Sequence, residues 1–265
     1  MRHTPLGNQK VSNRKYALLS GLGIACLILG WAVFSYSGIV PPIFLPTPTA
    51  VLASVVTLFA DLNLGGDILI SLWRIAAGFL LAVVVAIPLG VYIGINRQAE
   101  AFFDSIISFV RYIPPSAFVP LFILWFGIGE LGKVLLIFVG VAPYLTVLVF
   151  DAVASTKKAY TEAAYTLGLG RSDIVLRVII PQSMPDIWNA MRLMMGAAWT
   201  LVVLAEIVAA TSGLGYLIIT SQRFLQTSDV IAAILVIGFL GLLTDLLFKV
   251  SYGRFFPWVE KTHHA

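Results

Sequence analysis

Six stretches of this chain are each long and apolar enough to cross a membrane as a helix, and that pattern leaves few other ways for it to fold. A hydrocarbon core of about 30 Å takes roughly 20 helical residues. Windows of that length run at about 16–35, 71–95, 105–126, 134–154, 187–210 and 230–250. Of the 265 residues, 59% are hydrophobic and 11% charged, whereas soluble domains average about 45–50% and about 25%. Lipid is therefore the solvent for most of the chain. The expected class is an all-α integral membrane protein with about six transmembrane helices and no separate globular domain.

Charge placement sets an expected topology. If the six windows alternate, Lys10, Arg14, Lys15, Arg97, Lys157, Lys158, Arg171, Arg177, Lys249, Arg254 and Lys261 fall on one side, and Arg74, Lys133 and Arg223 on the other. The first side is then cytoplasmic. This divides the chain into a cytoplasmic tail at 1–15, a membrane domain at 16–254 with a cytoplasmic loop at 155–186, and a second cytoplasmic tail at 255–265. The first window follows Lys10, Arg14 and Lys15 as a signal peptide would, but it is long for one and no small-x-small cleavage site follows, so it reads as a retained helix. The segment 38–70, with Pro41, Pro42, Pro46 and Pro48, faces outside. In it Thr49 is the expected cap of a short interfacial helix bearing Val51, Leu52, Val55 and Phe59.

Several chemistries are excluded. The net charge of +4 comes from basic residues scattered at the ends of apolar runs, not from a stripe with interleaved aromatics, so no nucleic-acid partner is expected. Cys26 is the single cysteine, and His3, His263 and His264 lie in the tails. The windows hold no His, no Ser–Lys pair and no carboxylates one helical turn apart, which argues against an intramembrane enzyme. Gly127-Ile-Gly-Glu-Leu-Gly132-Lys133-Val134 imitates a phosphate-binding loop. Val134 stands where such a loop needs Ser or Thr, and no strand precedes it, so the glycines read as a tight turn between helices.

Gly78, Ala82, Ala86, Gly90 and Gly94 recur every fourth residue in the second window, a ridge that lets another helix come close. Pro88, and Pro114, Pro115 and Pro120 in the third window, remove helix hydrogen bonds. They read equally as ordinary kinks or as part of a substrate path.

The loop at 155–186 is longer than a minimal connection. Ala-rich residues 159–167 favour a helix, Gly168 and Gly170 end it, and Ser172-Asp173 cap a second helix that Pro181 follows. Such a semi-apolar helix-turn-helix paddle on a charged side suits a docking protein.

Glu162-Ala163-Ala164, then Gly168, then Val178-Ile-Ile180-Pro181 resembles the EAA loop of bacterial ABC importer permeases, E-A-A-x3-G-x9-I-x-L-P, in every spacing. Further stretches resemble the nitrate/sulfonate/taurine/bicarbonate branch of that family: Ser71-Leu-Trp-Arg74 with Gly78, Ile113-Pro-Pro115 through Pro120-Leu121 to Trp125-Phe-Gly-Ile-Gly129, Glu206-Ile-Val-Ala-Ala, and Ser212-Gly-Leu-Gly-Tyr-Leu217. The resemblance spans roughly residues 46–250. It implies a type I (MetI-like) importer half in a bacterial inner membrane, with a second permease copy, a cytoplasmic ATPase dimer and an external solute-binding protein. ATP and Mg would sit on the ATPase and no cofactor on this chain. It also implies an ATPase-coupling surface at Glu162, Ala163, Ala164, Gly168, Leu169, Gly170 and Pro181, and weakly favours a small anion such as nitrate, bicarbonate, taurine or an alkanesulfonate as solute. Glu162 is expected to brace the paddle through Arg171 or Arg177. A secondary transporter or channel is the alternative, but neither a repeated half nor a coupling-ion cluster is present.

Charges inside spans are costly and mark candidate pathway positions. Arg192, Trp199 and Glu206 are seven apart and share one helix face. That face either lines the pathway, or Arg192 snorkels beside Asp186 while Glu206 reaches water at the other end. Arg111, just before Tyr112, Pro114 and Pro115, is open to the same two readings. Asp245 and Lys249 have the spacing of a helical ion pair.

Overall fold

The computed structural model describes residues 12–259; the outer parts of both expected tails, with Lys10 and Lys261, lie outside the described residues. Eleven α-helices are described: α1 (Asn13–Tyr36), α2 (Pro48–Asp61), α3 (Leu64–Ile95), α4 (Arg97–Tyr112), α5 (Val119–Phe126), α6 (Glu130–Ala154), α7 (Lys158–Thr166), α8 (Arg171–Ile174), α9 (Ile180–Ala209), α10 (Leu214–Arg223) and α11 (Thr227–Phe255). Five helical runs among the described residues are long and apolar enough to cross a membrane, and α4 with α5 makes a sixth crossing if that bent pair is one span.

The third expected span is therefore broken. Its two halves meet at 82°. Pro114 and Pro115 lack N–H donors, and a residue before proline avoids helical geometry, so Ile113 is extended at φ −78° and ψ 120° and the helix stops at Tyr112. A 3₁₀ turn, Pro115–Phe118, leads into α5.

The core is the pair α3 and α6, and the small-residue ridge explains why they lie so close. A Cβ on Gly78 would stand 2.9 Å from the Val134 carbonyl oxygen, one on Gly90 2.7 Å from that of Thr146, and one on Gly94 2.6 Å from Val153 Cγ1. The partners advance together along both helices, so α3 and α6 run parallel and the α4–α5 pair carries the chain back between them. Helix α9 closes the core from the other side, burying Ile187, Ala190, Met194, Ala198 and Val202.

Outer elements attach less tightly. Helix α1 leaves Leu18, Leu22, Leu27 and Val33 exposed, as a lipid-facing helix would, and is tied on by Trp31 Nε1 donating to the Pro46 carbonyl (3.0 Å) and by a Tyr36–Thr49 hydroxyl bond (2.8 Å). Thr47, rather than Thr49, caps α2, because Pro48 takes the first helical position and Thr47 Oγ1 accepts from the Ala50 N–H. Nor is α2 a free interfacial helix. Val51, Ser54 and Leu58 are buried while Leu52 and Phe59 are exposed, and Ser54 donates to Asp229 of α11.

If the glycine ridge sets the α3–α6 distance, Gly90→Val should destabilise the purified protein by about 1–3 kcal/mol, the usual cost of overpacking. Gly21→Val on α1, where a Cβ meets nothing within 4 Å, should leave the melting profile in detergent unchanged. Equal melting of the two variants would remove the ridge from the account.

Candidate functional site

Three constellations carry charge or shape that packing alone does not need. The first is the paddle. Helix α7 ends in a Schellman turn: the Gly168 N–H reaches the Tyr165 carbonyl (3.0 Å), the Leu169 N–H reaches that of Ala164 (3.2 Å), and Gly168 sits at φ +81°. Here glycine is required by backbone conformation alone, since a Cβ would meet nothing within 4 Å. Ala164 faces inward; Glu162, Ala163, Tyr160, Tyr165 and Leu167 face solvent.

Three expectations for this loop are corrected. Gly170, not Ser172 or Asp173, is the N-cap of α8. Pro181 does not follow the second helix but lies inside it, because a π-helical stretch at Val175–Ile179 widens the turn where proline cannot donate and carries the helix into α9. One helical run thus extends from Arg171 to Ala209. Arg177 pairs with Asp173 at 3.2 Å, Glu162 forms no ion pair among the described residues, and so neither Arg171 nor Arg177 braces it.

The second constellation lies at the opposite end of the bundle. Arg74 has no exposed surface, and all five of its N–H groups are engaged. Nε and Nη2 form a fork on Glu130 (2.6 and 2.8 Å), Nη1 donates to Glu206 Oε1 (2.8 Å) and to the Ser212 carbonyl (2.7 Å), and Nη2 reaches Ser212 Oγ (3.4 Å). Glu206, also fully buried, accepts from Ser71 Oγ and the Gly215 N–H, while Lys133 donates to Glu130 and Asp67 accepts the Gly213 N–H. Gly213 at φ +110° brings the loop against the pair; a Cβ there would stand 2.6 Å from Arg74 Nη1. The clasp ties α3, α6, α9 and α10 together.

Neither of the two readings left open for this face of α9, a pathway lining or Arg192 beside Asp186 with Glu206 in water, fits the packing. Glu206 is sealed in the clasp. Trp199 is 5% exposed, its Nε1 donating to Thr244 of α11 at 3.1 Å. Arg192 pairs with Asp245, not Asp186, and Asp245 also holds Lys249 at 2.9 Å. The heptad spacing is real, but it is the seam on which α3, α10 and α11 pack. Gly127 and Gly129 form the expected turn, with Gly127 at φ +69°, but Gly132 lies inside α6; Lys133 is 3% exposed and bonded to Glu130.

The third constellation is a cavity of about 270 Å³ between α3, α4 and α6, on the paddle side of the Pro114–Pro115 break. Glu100, Asp104, Ser108 and Arg111 line it from one face of α4, and Thr146 and Asp151 from α6. Arg111 is half-buried between the rings of Tyr112 and Tyr144 (6.0 and 5.6 Å to their centroids), and Tyr144 donates to its carbonyl at 2.8 Å. Starting the third span at residue 105 hid the Glu100–Asp104 pair, which is in fact one helical turn apart on α4. Arg74 and Glu130 were likewise passed over, although an arginine one turn inside a span demands a buried acid somewhere.

Residues 86–261 match the family model described as binding-protein-dependent transport system inner membrane component. The chain is 33% identical over 240 residues, 89% of its length and 87% of the relative's, to the taurine transport system permease protein TauC of Escherichia coli (strain K12). It is 31% identical over 251 residues, 94% of its length and 91% of the relative's, to the putative aliphatic sulfonates transport permease protein SsuC of Bacillus subtilis (strain 168). A solved inward-facing structure of the MetNI methionine ABC transporter is similar in fold, with a TM-score of 0.64 at 19% identity over 72% of this chain and 95% of that one.

Removing one partner of a buried ion pair strands the other charge and costs about 3–5 kcal/mol. Arg74→Gln and Glu206→Gln should each destabilise by about that much in detergent unfolding. The double variant should fall short of their sum by more than 1 kcal/mol, since the second loss removes a stranded charge. Strict additivity would mean the two residues do not act as a pair.

Proposed function

Because this chain belongs to the family of binding-protein-dependent transport system inner membrane components, in the nitrate/sulfonate/taurine/bicarbonate branch of ABC importer permeases, we propose how its constellations divide the work of transport. The chain is a multi-pass membrane permease, and its role is to form the pathway that a partner ATPase drives. The paddle docks in a groove of that ATPase through Glu162, Ala163, Gly168, Leu169 and Gly170. The observation that carries this reading is the exposed ridge of Tyr160, Tyr165 and Leu167 (44, 59 and 79% exposed) on and just after α7, joined by the Gly168 turn to α8, which runs on into α9. Large apolar side chains presented at a charged end of the protein need a cover.

The pathway runs beside the α4–α6 cavity, with Arg111 at the bend made by Pro114 and Pro115, and not along the Arg192–Trp199–Glu206 seam. The solute carries an anionic head, in keeping with the taurine and sulfonate named for the relatives. A second copy completes the pathway: α9 leaves Asn189, Leu193, Gly196 and Thr200 exposed in one stripe, with open space above Gly196. Both termini and the paddle lie on the cytoplasmic side of a bacterial inner membrane, and a solute-binding protein meets the end that holds the clasp. ATP and Mg belong to the ATPase, and this chain carries out no hydrolysis.

Gly168→Asp should leave the permease inserted, since only the turn is strained, yet weaken copurification of the ATPase and abolish solute-stimulated ATP hydrolysis. Glu162→Ala, which removes an exposed contact without straining the backbone, should show a milder form of the defect. Normal assembly and wild-type transport by Gly168→Asp would end the coupling assignment. For orientation, a cysteine at Asn63 in a Cys26→Ser background should react with an impermeant maleimide from outside the cell, and one at Lys157 only after permeabilisation. The reverse pattern would invert the topology.

A further inference from the structure

An open groove of about 470 Å³ lies at the paddle end of α3 and shares no lining residue with the α4–α6 cavity. Ile95, Val175 and Leu176 give it an apolar side, and Tyr92, Asn96, Arg171 and Ser172 a polar one, with no carboxylate in its lining. Arg171 is exposed and forms no ion pair among the described residues. The nearby acid on its own helix, Asp173, is held by Arg177 at 3.2 Å. Asn96 Nδ2 donates to the Tyr92 hydroxyl at 3.5 Å, which leaves the phenolic proton free to be donated in turn. Guanidinium, phenol and serine hydroxyl thus offer donors to one anion, and nothing in the lining repels it.

Apolar surface leads straight to these donors. Leu80, Val84, Pro88 and Tyr92 follow one another four residues apart and are all exposed, a row that runs along α3 to the rim of the groove. From Leu80 to Tyr92 the row covers about 18 Å, against roughly 15 Å for the depth of one leaflet. A free phosphate would meet the donors and leave the row, Val175 and Leu176 uncovered. A phospholipid covers both.

We propose that this groove binds an anionic phospholipid, with the phosphodiester oxygens on Arg171 and the Tyr92 and Ser172 hydroxyls and an acyl chain laid along the exposed row of α3. Basic pockets between helices at the bilayer edge hold such headgroups, and tyrosine suits that level because its ring faces lipid while its hydroxyl meets polar groups. Tyr92 lies in the last turn of α3 and Arg171 opens α8, so the lipid bridges a core helix to the second helix of the paddle. The site stands whichever solute the α4–α6 cavity passes.

The test uses the permease purified with its ATPase, stripped of lipid in detergent and titrated with phosphatidylglycerol or with phosphatidylcholine of the same chains, the bound lipid being counted by native mass spectrometry. The first phosphatidylglycerol should bind at a concentration lower by about fivefold, the worth of one arginine at such a surface. Arg171→Gln alone should reduce that preference, and Arg171→Gln with Ser172→Glu should erase it. Both side chains are exposed, so these substitutions leave the packing intact. Arg254→Gln, which removes an exposed cation near the end of α11 and outside the groove, should keep the preference in full. Millimolar inorganic phosphate should displace none of the lipid. Equal binding of the two lipids, or a preference that survives the double substitution, would overturn the site. A preference lost equally in Arg254→Gln would replace it with diffuse attraction to basic residues, and displacement by phosphate would replace the lipid with a free anion.

Discussion

An arginine with no exposed surface is tolerable only if its charge is balanced and every donor is met, and in this chain meeting those demands on Arg74 decides where four helices stand. Glu130 must come to the start of α6, Glu206 must point back along α9, and the loop before α10 must fold over so that Ser212 can close the set. Gly213 and Gly215 follow from the same demand, because the space a side chain would need is already taken by the ion pair. These four helices otherwise meet one another through apolar contacts that lipid tails can imitate, so the clasp contributes register where hydrophobicity has little power to do so.

How far sequence alone reaches depends on the kind of signal. Gly78, Gly90 and Gly94 announced close packing because only small residues permit it, and the structure set each against a backbone or a β-branched residue of α6. Gly168 announced a turn because few other residues accept its φ. The EAA spacing and the stretches around Ser71–Arg74, Ile113–Gly129 and Glu206–Leu217 led to the family that the comparisons established. The heptad of Arg192, Trp199 and Glu206 misled, since seven-residue spacing marks a shared face without saying whether water or another helix covers it. What decides that is the partner. Thr244, Asp245 and Arg74 lie 45, 53 and 132 residues away, beyond the reach of local pattern.

The third span shows a different limit. Hydropathy windows average across a break, so the polar face of α4 was diluted by the apolar run of α5 and its first two turns fell outside the window. Pro114 and Pro115 separate the two characters physically as well: before them lies an amphipathic helix beside a charged cavity, after them a short apolar one packed on Leu136 and Ala205. The broken span lets one crossing provide both a charged wall and an apolar one.

The unbroken run from Arg171 to Ala209 has a mechanical meaning. Thirty-nine residues of helix make a rod of about 58 Å, with the paddle at one end and Glu206 three residues from the other. A rod of that length magnifies: a tilt of only about 5° at the paddle end sweeps the far tip through about 5 Å, close to one helical pitch. The widened turn at Val175–Ile179 lies near the paddle end of this run, so nearly all of its length is regular helix beyond that point. A tilt imposed at the paddle surface would therefore reach the opposite surface as a movement comparable to the size of a small solute.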